Sequence, residues 1–176
     1  QWVSLRKVLT QNRNDLLLRE NAVFAWPPST TAISRQALFA GRPPIFFPNS
    51  IHTTNKESHL WQQFWVDQGI TEQEIVYIRR LGDDIPDDLC EKLMSPKTRV
   101  AGLVVDKVDK IMHGMELGSA GMHNQIKQWA KQPFMSDLLD MLLQAGYQVI
   151  LTSDHGNIQA SGCGRPAEGA LAVTRG

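Results

Sequence analysis

The sequence predicts an α/β fold, a doubly wound, mostly parallel sheet flanked by helices. Three observations predict it. Apolar runs of strand length alternate with segments of helical periodicity along the 176 residues. The runs "RVAGLVVDKVD" (99–109) and "GYQVILTSD" (146–154) are apolar along most of their length, as strands covered on both faces are. Three run ends carry polar, chemistry-bearing residues: "PPSTT" after 21–26, "DKVDKIMHG" after 99–105 and "SDHGN" after 147–151. In open parallel sheets the ligand crevice lies at such carboxyl ends.

The elements follow in order. Residues 2–18 predict a helix, because Trp2, Leu5, Val8, Leu9, Leu16 and Leu17 roughly keep a helical spacing. "NAVFAW" (21–26) reads as a short buried strand, ended by Pro27 and Pro28, which remove ladder donors. "STTAISRQALFAG" (29–41) predicts a helix with N-cap hydroxyls at Ser29, Thr30 and Thr31 and a C-cap at Gly41. Prolines and polar residues make 42–58 a loop, and "HLWQQFWVDQG" (59–69) a short amphipathic helix. "EIVYIRRL" (74–81) is a strand, 82–98 a polar connection with a small helix at 87–94, and 99–109 a second strand. Residues 122–145 carry an apolar stripe of Ile126, Trp129, Ala130, Leu138, Leu139, Leu142 and Leu143, and Pro133 divides this longest helix in two. The third confident strand is 146–154. There is no internal repeat or low-complexity tract.

Bulk properties set bounds on function. The chain is long enough for one domain with a sizeable core, and the expected organisation is a single domain over 1–176. Eighteen basic and eighteen acidic residues cancel, so no overall attraction to nucleic acid or an anionic membrane is expected. Cys90 and Cys163 form neither a disulfide framework nor a metal-binding pair, which points to a reducing cytoplasm. No apolar run is long enough for a transmembrane helix, and there is no signal-peptide pattern. The chain opens on Gln1 inside a predicted helix, so a piece of a longer protein, cut at both ends, is the expectation.

The residues at the run ends suggest a metal-assisted site. A threonine hydroxyl such as that of Thr31 attacks only beside a base or a cation that strips its proton. At a helix start it would also meet free N–H groups suited to a phosphate, although plain capping explains it as well. Asp109 and His113, four residues apart, can share a cation if the turn is helical; a solvated surface pair is the plainer alternative. Asp106 is a rival carboxylate, with a spacing less suited to chelation. Asp154 and His155 are adjacent and converge only if the chain leaves the strand there, which Gly156 permits. Metal ligation is preferred over a turn at this point, since a buried strand end is a costly place for an unpaired carboxylate. Carboxylate and imidazole suit Zn²⁺ and tolerate Mn²⁺. On the predicted sheet all three ends fall on one edge, giving one shared pocket.

The stretches "PPSTTAISRQALFAG", "DKIMHG" and "TSDHGN" resemble the alkaline phosphatase superfamily. The whole chain is similar to the PglZ family of bacterial phage-exclusion (BREX) systems, through "W" and "FW" at 61–65, "VVDKVDKIMHG", "QIKQWA" and "TSDHGNIQASGCGRPAEG". "TSDHG" is shared widely across the superfamily; the combination is specific to PglZ. The resemblance implies an alkaline-phosphatase-like fold, present as a partial domain. It implies a metal-dependent phosphomonoesterase or phosphodiesterase with two divalent metals, Zn or alternatively Mn. Thr31 would be nucleophile and metal bridge, with Thr30 the fallback. Asp109 and His113 would bind one metal, and Asp154 and His155 would help bind the other. Asn49 would hydrogen-bond a phosphate oxygen, and Arg35 and Arg165 are candidate anion partners, with a surface or ion-pair arginine the plainer alternative for each. The implied partners are a phosphate-ester substrate, a nucleotide or nucleic acid among the options, and other phage-exclusion proteins, with no membrane. The superfamily also takes an Asp from a first strand and a His downstream of "SDHG". Asp15 falls inside the predicted first helix, no His follows His155, and His123 does not match in position. An incomplete site, and weak or absent activity of this chain alone, is therefore expected. A sulfatase on the same fold is disfavoured, because "TTAISR" lacks the C/S-x-P-x-R setting. The alternative from another class is a non-catalytic metal- or nucleotide-binding scaffold module of the defence complex.

Overall fold

The structure, a computed structural model, describes residues 2–11, 13, 15–113, 118–156, 162 and 164, with the backbone alone for 118–120. The chain divides into two compact units, one of residues 1–22 and 65–151 and one of residues 23–64 and 152–176.

The first unit is built on a parallel strand pair, β1 (Ile75–Leu81) and β2 (Val100–Val105), in register from Ile75 opposite Val100 to Ile78 opposite Leu103. Their connection is α4 (Asp87–Met94), as a parallel pair requires a crossover. Pro86 precedes α4, and Asp87 and Asp88 in its first turn complement the positive helix end. Strand β1 is entered through a capping box, in which the Glu74 carboxylate accepts from the Thr71 backbone N–H and hydroxyl at 2.8 and 2.6 Å. Those bonds hold the Glu74 carboxyl below its ordinary pKa. The ladder breaks between Ile78 and Leu81, where Arg80 has φ 68°, a bulge that re-aims the strand end.

Three helices follow β2: α5 (Lys107–His113), α6 (Gly118–Ala130) and α7 (Pro133–Gln144). Pro133 starts α7, where its missing N–H costs nothing. Phe134, Met135, Leu138 and Leu142 bury one face of α7 against Leu81, Leu89, Leu93, Trp129 and Ala130. Leu5, Val8 and Leu9 of α1 (Trp2–Leu9) pack on the same core. At the carboxyl end of the pair the Trp129 indole N–H donates to the Gly82 carbonyl at 2.6 Å, and Lys107 pairs with Asp83. Gly82, at φ 154°, is needed there: a Cβ would stand 2.6 Å from the Lys107 Cβ. These contacts fix the start of α5 beyond β2.

The second unit centres on α2 (Thr31–Ala40), which buries Ile33, Phe39 and Ala40. Gly41 closes it in the left-handed conformation, as the sequence predicts. The Gln36 amide nitrogen, wholly buried, lies 2.7 Å from each of the Ala32, Ser50 and Thr53 carbonyls, which share its two N–H donors, and so ties the 42–56 loop to α2. Helix α3 (Glu57–Asp67) crosses from one unit to the other between Phe64 and Trp65, and its Trp61 meets Phe39 edge-on.

Several expectations need correction. The first helix stops at Leu9 rather than Leu18. Arg13 and Asp15 bond each other at 2.8 Å beyond it, and the Asn-rich run 12–15 favours turns over helix. Asp15 is thus a turn residue whose carboxyl is lowered in pKa by its bond to Arg13. Residues 21–26 are not a buried strand: Val23 is 90% exposed, and the Asn21 side chain accepts the Ala22 N–H in place of a ladder. Residues 147–151 join no ladder. Tyr147 gives its N–H to the Leu142 carbonyl and its hydroxyl to Leu93 O at 3.0 Å, and Ile150 is 82% exposed. An apolar run shows strand propensity whether or not a neighbour is there to pair with it. Among the described residues the sheet therefore has two strands, parallel as expected, and they do not make up a doubly wound sheet. No helix of the described residues is long and apolar enough to cross a membrane.

Candidate functional site

Thr31 is the first residue of α2. Thr30, at the N-cap, makes no side-chain capping bond, so the expected hydroxyl cap is absent there. The Thr31 hydroxyl lies 3.1 Å from His155 Nε2, across 124 residues of sequence and within the second unit. The opposite ring nitrogen, Nδ1, is 2.8 Å from the Gly156 carbonyl. A carbonyl only accepts, so Nδ1 carries the proton of the neutral ring and Nε2 presents a lone pair. Thr31 therefore donates and Nε2 accepts. Asp154 joins them: Oδ1 accepts the His155 backbone N–H at 2.9 Å, and Oδ2 lies 3.7 Å from Nε2. The bend at 154–155 turns two adjacent side chains the same way, as the reading of Gly156 anticipates. Both side chains are about one-fifth exposed, so the reasoning from a buried strand end does not apply; the convergence itself does.

Asp109 and His113 lie on α5 in the first unit, one helical turn apart, with Oδ1 3.4 Å from Nε2. Both are largely exposed. Asp106 stands just before α5, its N–H bonded to the Leu81 carbonyl at 3.0 Å. Asn49 is exposed in a short 3₁₀ turn, Pro48–Ser50. Arg35 does not stand open to solvent as a plain anion partner: its Nη2 is 2.6 Å from Glu57 Oε2. Arg165 and Cys163 lie outside the described residues. His123 accepts or shares a hydrogen bond with the buried Ser4 hydroxyl at 2.9 Å, a link between α1 and α6.

The donor chemistry fits divalent cations. Two donors about 2.0–2.1 Å from one ion at a near-tetrahedral angle stand about 3.4 Å apart. The Asp109–His113 separation is 3.4 Å, and the Thr31–His155 and Asp154–His155 separations of 3.1 and 3.7 Å bracket that value. The Nδ1–H bond to a backbone carbonyl is the outer-shell support that metal-bound histidines commonly have. Among the described residues no group of three or more His, Cys, Asp and Glu side chains is placed to share one ion. A cleft of about 260 Å³ lined by Leu93, Pro96, Arg99 and Tyr147 opens near the amino end of β2 and takes in none of these residues.

A family model described as the BREX system PglZ alkaline phosphatase-like domain matches residues 1–176. The chain belongs to the PglZ family. Its fold is accordingly alkaline-phosphatase-like, and membership puts it among the phosphatase-like hydrolase domains of phage-exclusion systems. Comparison with curated proteins and with solved structures finds no match. Glu57, the partner of Arg35, is a residue that sequence reasoning did not single out. Its only advance signal is a carboxylate at the first turn of α3, which reads equally well as a helix-end charge.

Proposed function

We propose that this PglZ domain works in a metal-dependent phosphohydrolase of the cytoplasm, cleaving a phosphomonoester or phosphodiester with Thr31 as nucleophile. Thr31, Asp154 and His155 hold one divalent cation and Asp109 with His113 hold a second, Zn²⁺ or Mn²⁺. The observation that carries this reading is the Thr31–His155 contact at 3.1 Å, with Asp154 beside it. A cation held by these residues would supply what threonine lacks, a lowered hydroxyl pKa at neutral pH.

The residues of the chain do the rest. The Gly156 carbonyl keeps the His155 lone pair directed at Thr31. Helix α2 holds Oγ1 at a helix start, where unpaired N–H groups favour phosphate oxygens. Thr31 loses its proton to solvent as Oγ1 attacks phosphorus in line, the bond to the leaving oxygen breaks and that oxygen takes up a proton, and water then cleaves the phosphothreonine, freeing phosphate from a monoester or a phosphomonoester from a diester. Arg35 and Asn49 contact the phosphate oxygens. A nucleotide or a nucleic acid end is within the substrate class, and other phage-exclusion proteins are the partners. Strands β1 and β2 belong to a doubly wound, mostly parallel sheet. The alternation at 147–150, with Tyr147 and Val149 packed on the core and Gln148 and Ile150 outward, supports a further strand there.

The test is turnover of an aryl phosphate and an aryl phosphodiester by the full-length protein with Zn²⁺ or Mn²⁺. Thr31→Ala is expected to abolish it, and wild-type turnover by that variant overturns the nucleophile assignment. A second reading, a non-catalytic scaffold that binds a metal or nucleotide, rests on donor number. Each acid–imidazole pair brings two carboxylate or imidazole donors, whereas closed protein sites use four ligands. About two bound divalent ions per full-length chain favours the enzyme; none favours the scaffold.

A further inference from the structure

The second unit holds a charged pair of which the proposed chemistry uses only the arginine. The Glu57 side chain is 1% exposed and that of Arg35 is 17% exposed, with Nη2 2.6 Å from Oε2. Glu57 projects from the first turn of α3 and Arg35 from the middle of α2. The pair is asymmetric: the Glu57 side chain is sealed, while that of Arg35 keeps some exposure. Breaking a buried pair by removing one partner is costly, so Glu57 holds the arginine in place.

Arg35 is one helical turn beyond Thr31. Residues four apart on a helix share a face. On α2, Ile33, Ser34, Gln36, Phe39 and Ala40 are buried, and Thr31 and Arg35 are both half-buried, as are Ala32 and Ala37. The guanidinium is a planar fork suited to phosphate oxygens, and its value depends on being pre-aimed.

We infer that Glu57 is a positioning residue, which fixes the Arg35 guanidinium on the Thr31 face of α2 to receive the phosphoryl oxygens of the substrate. This rests on the reading of Thr31 as the nucleophile and adds what holds the phosphate beside it. Glu57 touches no substrate. It acts by holding the arginine at one rotamer, so its loss weakens phosphate binding more than it slows the bond-breaking step.

The experiment uses the full-length protein with Zn²⁺ and compares wild type, Glu57→Gln, Arg35→Lys and Thr31→Ala. Inorganic phosphate binding is measured by calorimetry, and KM and kcat are measured on an aryl phosphate. Glu57→Gln is expected to weaken phosphate binding and raise KM by about tenfold or more, with a smaller change in kcat. Arg35→Lys keeps the charge opposite Glu57 but loses the fork, and is expected to weaken phosphate binding at least as much. That variant decides the matter if Glu57→Gln fails to fold. Wild-type phosphate affinity in a folded Glu57→Gln or in Arg35→Lys overturns the inference. Thr31→Ala separates the two levels. If it is inactive yet binds phosphate, while the Glu57 and Arg35 variants also bind normally, only the positioning role is wrong. If Thr31→Ala turns over normally, or if wild type neither binds phosphate nor turns over, the nucleophile reading falls and this inference falls with it.

Discussion

The Thr31 hydroxyl and His155 Nε2 stand 3.1 Å apart while His155 Nδ1 is held at 2.8 Å by the Gly156 carbonyl. One ring nitrogen is thereby committed to the backbone and the other to the threonine. A glutamine side chain places its terminal amide near the Nε2 position, and an asparagine near Nδ1. His155→Gln is therefore expected to retain more zinc affinity than His155→Asn, which should lose at least about tenfold. Zinc titration of the two full-length variants checks this, and equal affinities would mean that Nε2 is not the functional nitrogen.

The second prediction concerns Asp109, whose Oδ1 is 3.4 Å from His113 Nε2 on an exposed turn of α5. An exposed Asp–His pair of this kind is worth little to stability, a few tenths of a kcal/mol to about 1 kcal/mol. Asp109→Asn should accordingly leave the thermal midpoint nearly unchanged. It should also lower the metal content of the full-length protein from about two ions per chain to about one. Chelation should remove turnover from wild type, and Zn²⁺ or Mn²⁺ should restore it. Metal analysis showing the same content in wild type and Asp109→Asn would make the pair a surface contact.

Much of the local structure was legible in the sequence because local rules decide it. Pro133 divides the long helix, Gly41 ends α2, the 87–94 helix has the expected bounds, and the strand expected at 74–81 runs from Ile75 to Leu81. What failed were statements that depend on distant partners. "NAVFAW" and "YQVIL" have strand composition, yet a ladder needs a neighbour that composition does not name. The site divides the same way. The Asp109–His113 pair is helical spacing made visible. Thr31 meeting His155 was expected from the predicted sheet edge and from the motif resemblance, since no local rule joins residues 124 positions apart. Arg35 makes the ion pair that was the plainer alternative to an anion partner, but the partner, Glu57, sits on another helix and no local rule names it.

Gly41 provides a third test, aimed at packing in the second unit. Its φ is 58°, and a Cβ there would fall 2.6 Å from the Phe64 ring. A left-handed conformation costs a non-glycine residue about 1–2 kcal/mol. Forcing a methyl group against a packed ring adds about 1–3 kcal/mol, less where the ring can shift. Gly41→Ala is expected to destabilise by at least about 1–2 kcal/mol in denaturant unfolding. A variant as stable as wild type would show that the end of α2 is not held as described.

Tyr147 carries the pH dependence. Its hydroxyl donates to the Leu93 carbonyl at 3.0 Å, and burial raises its pKa above the ordinary value of 10.0. The uncharged phenol is the form the fold favours, so this contribution to stability is fully present below the unfolded value. It is lost as pH rises through the raised folded one. Tyr147→Phe removes both the hydrogen bond and the titration. At pH 8 the variant should be less stable than wild type by about 1 kcal/mol, the net worth of one such bond. Above about pH 10 wild type must pay to ionise a group the fold keeps neutral, whereas phenylalanine has nothing to ionise, so the gap should narrow and can reverse. Thermal melts of both proteins across this range check it; a gap that stays constant would show that the Tyr147 hydroxyl ionises as readily in the folded chain as in the unfolded one.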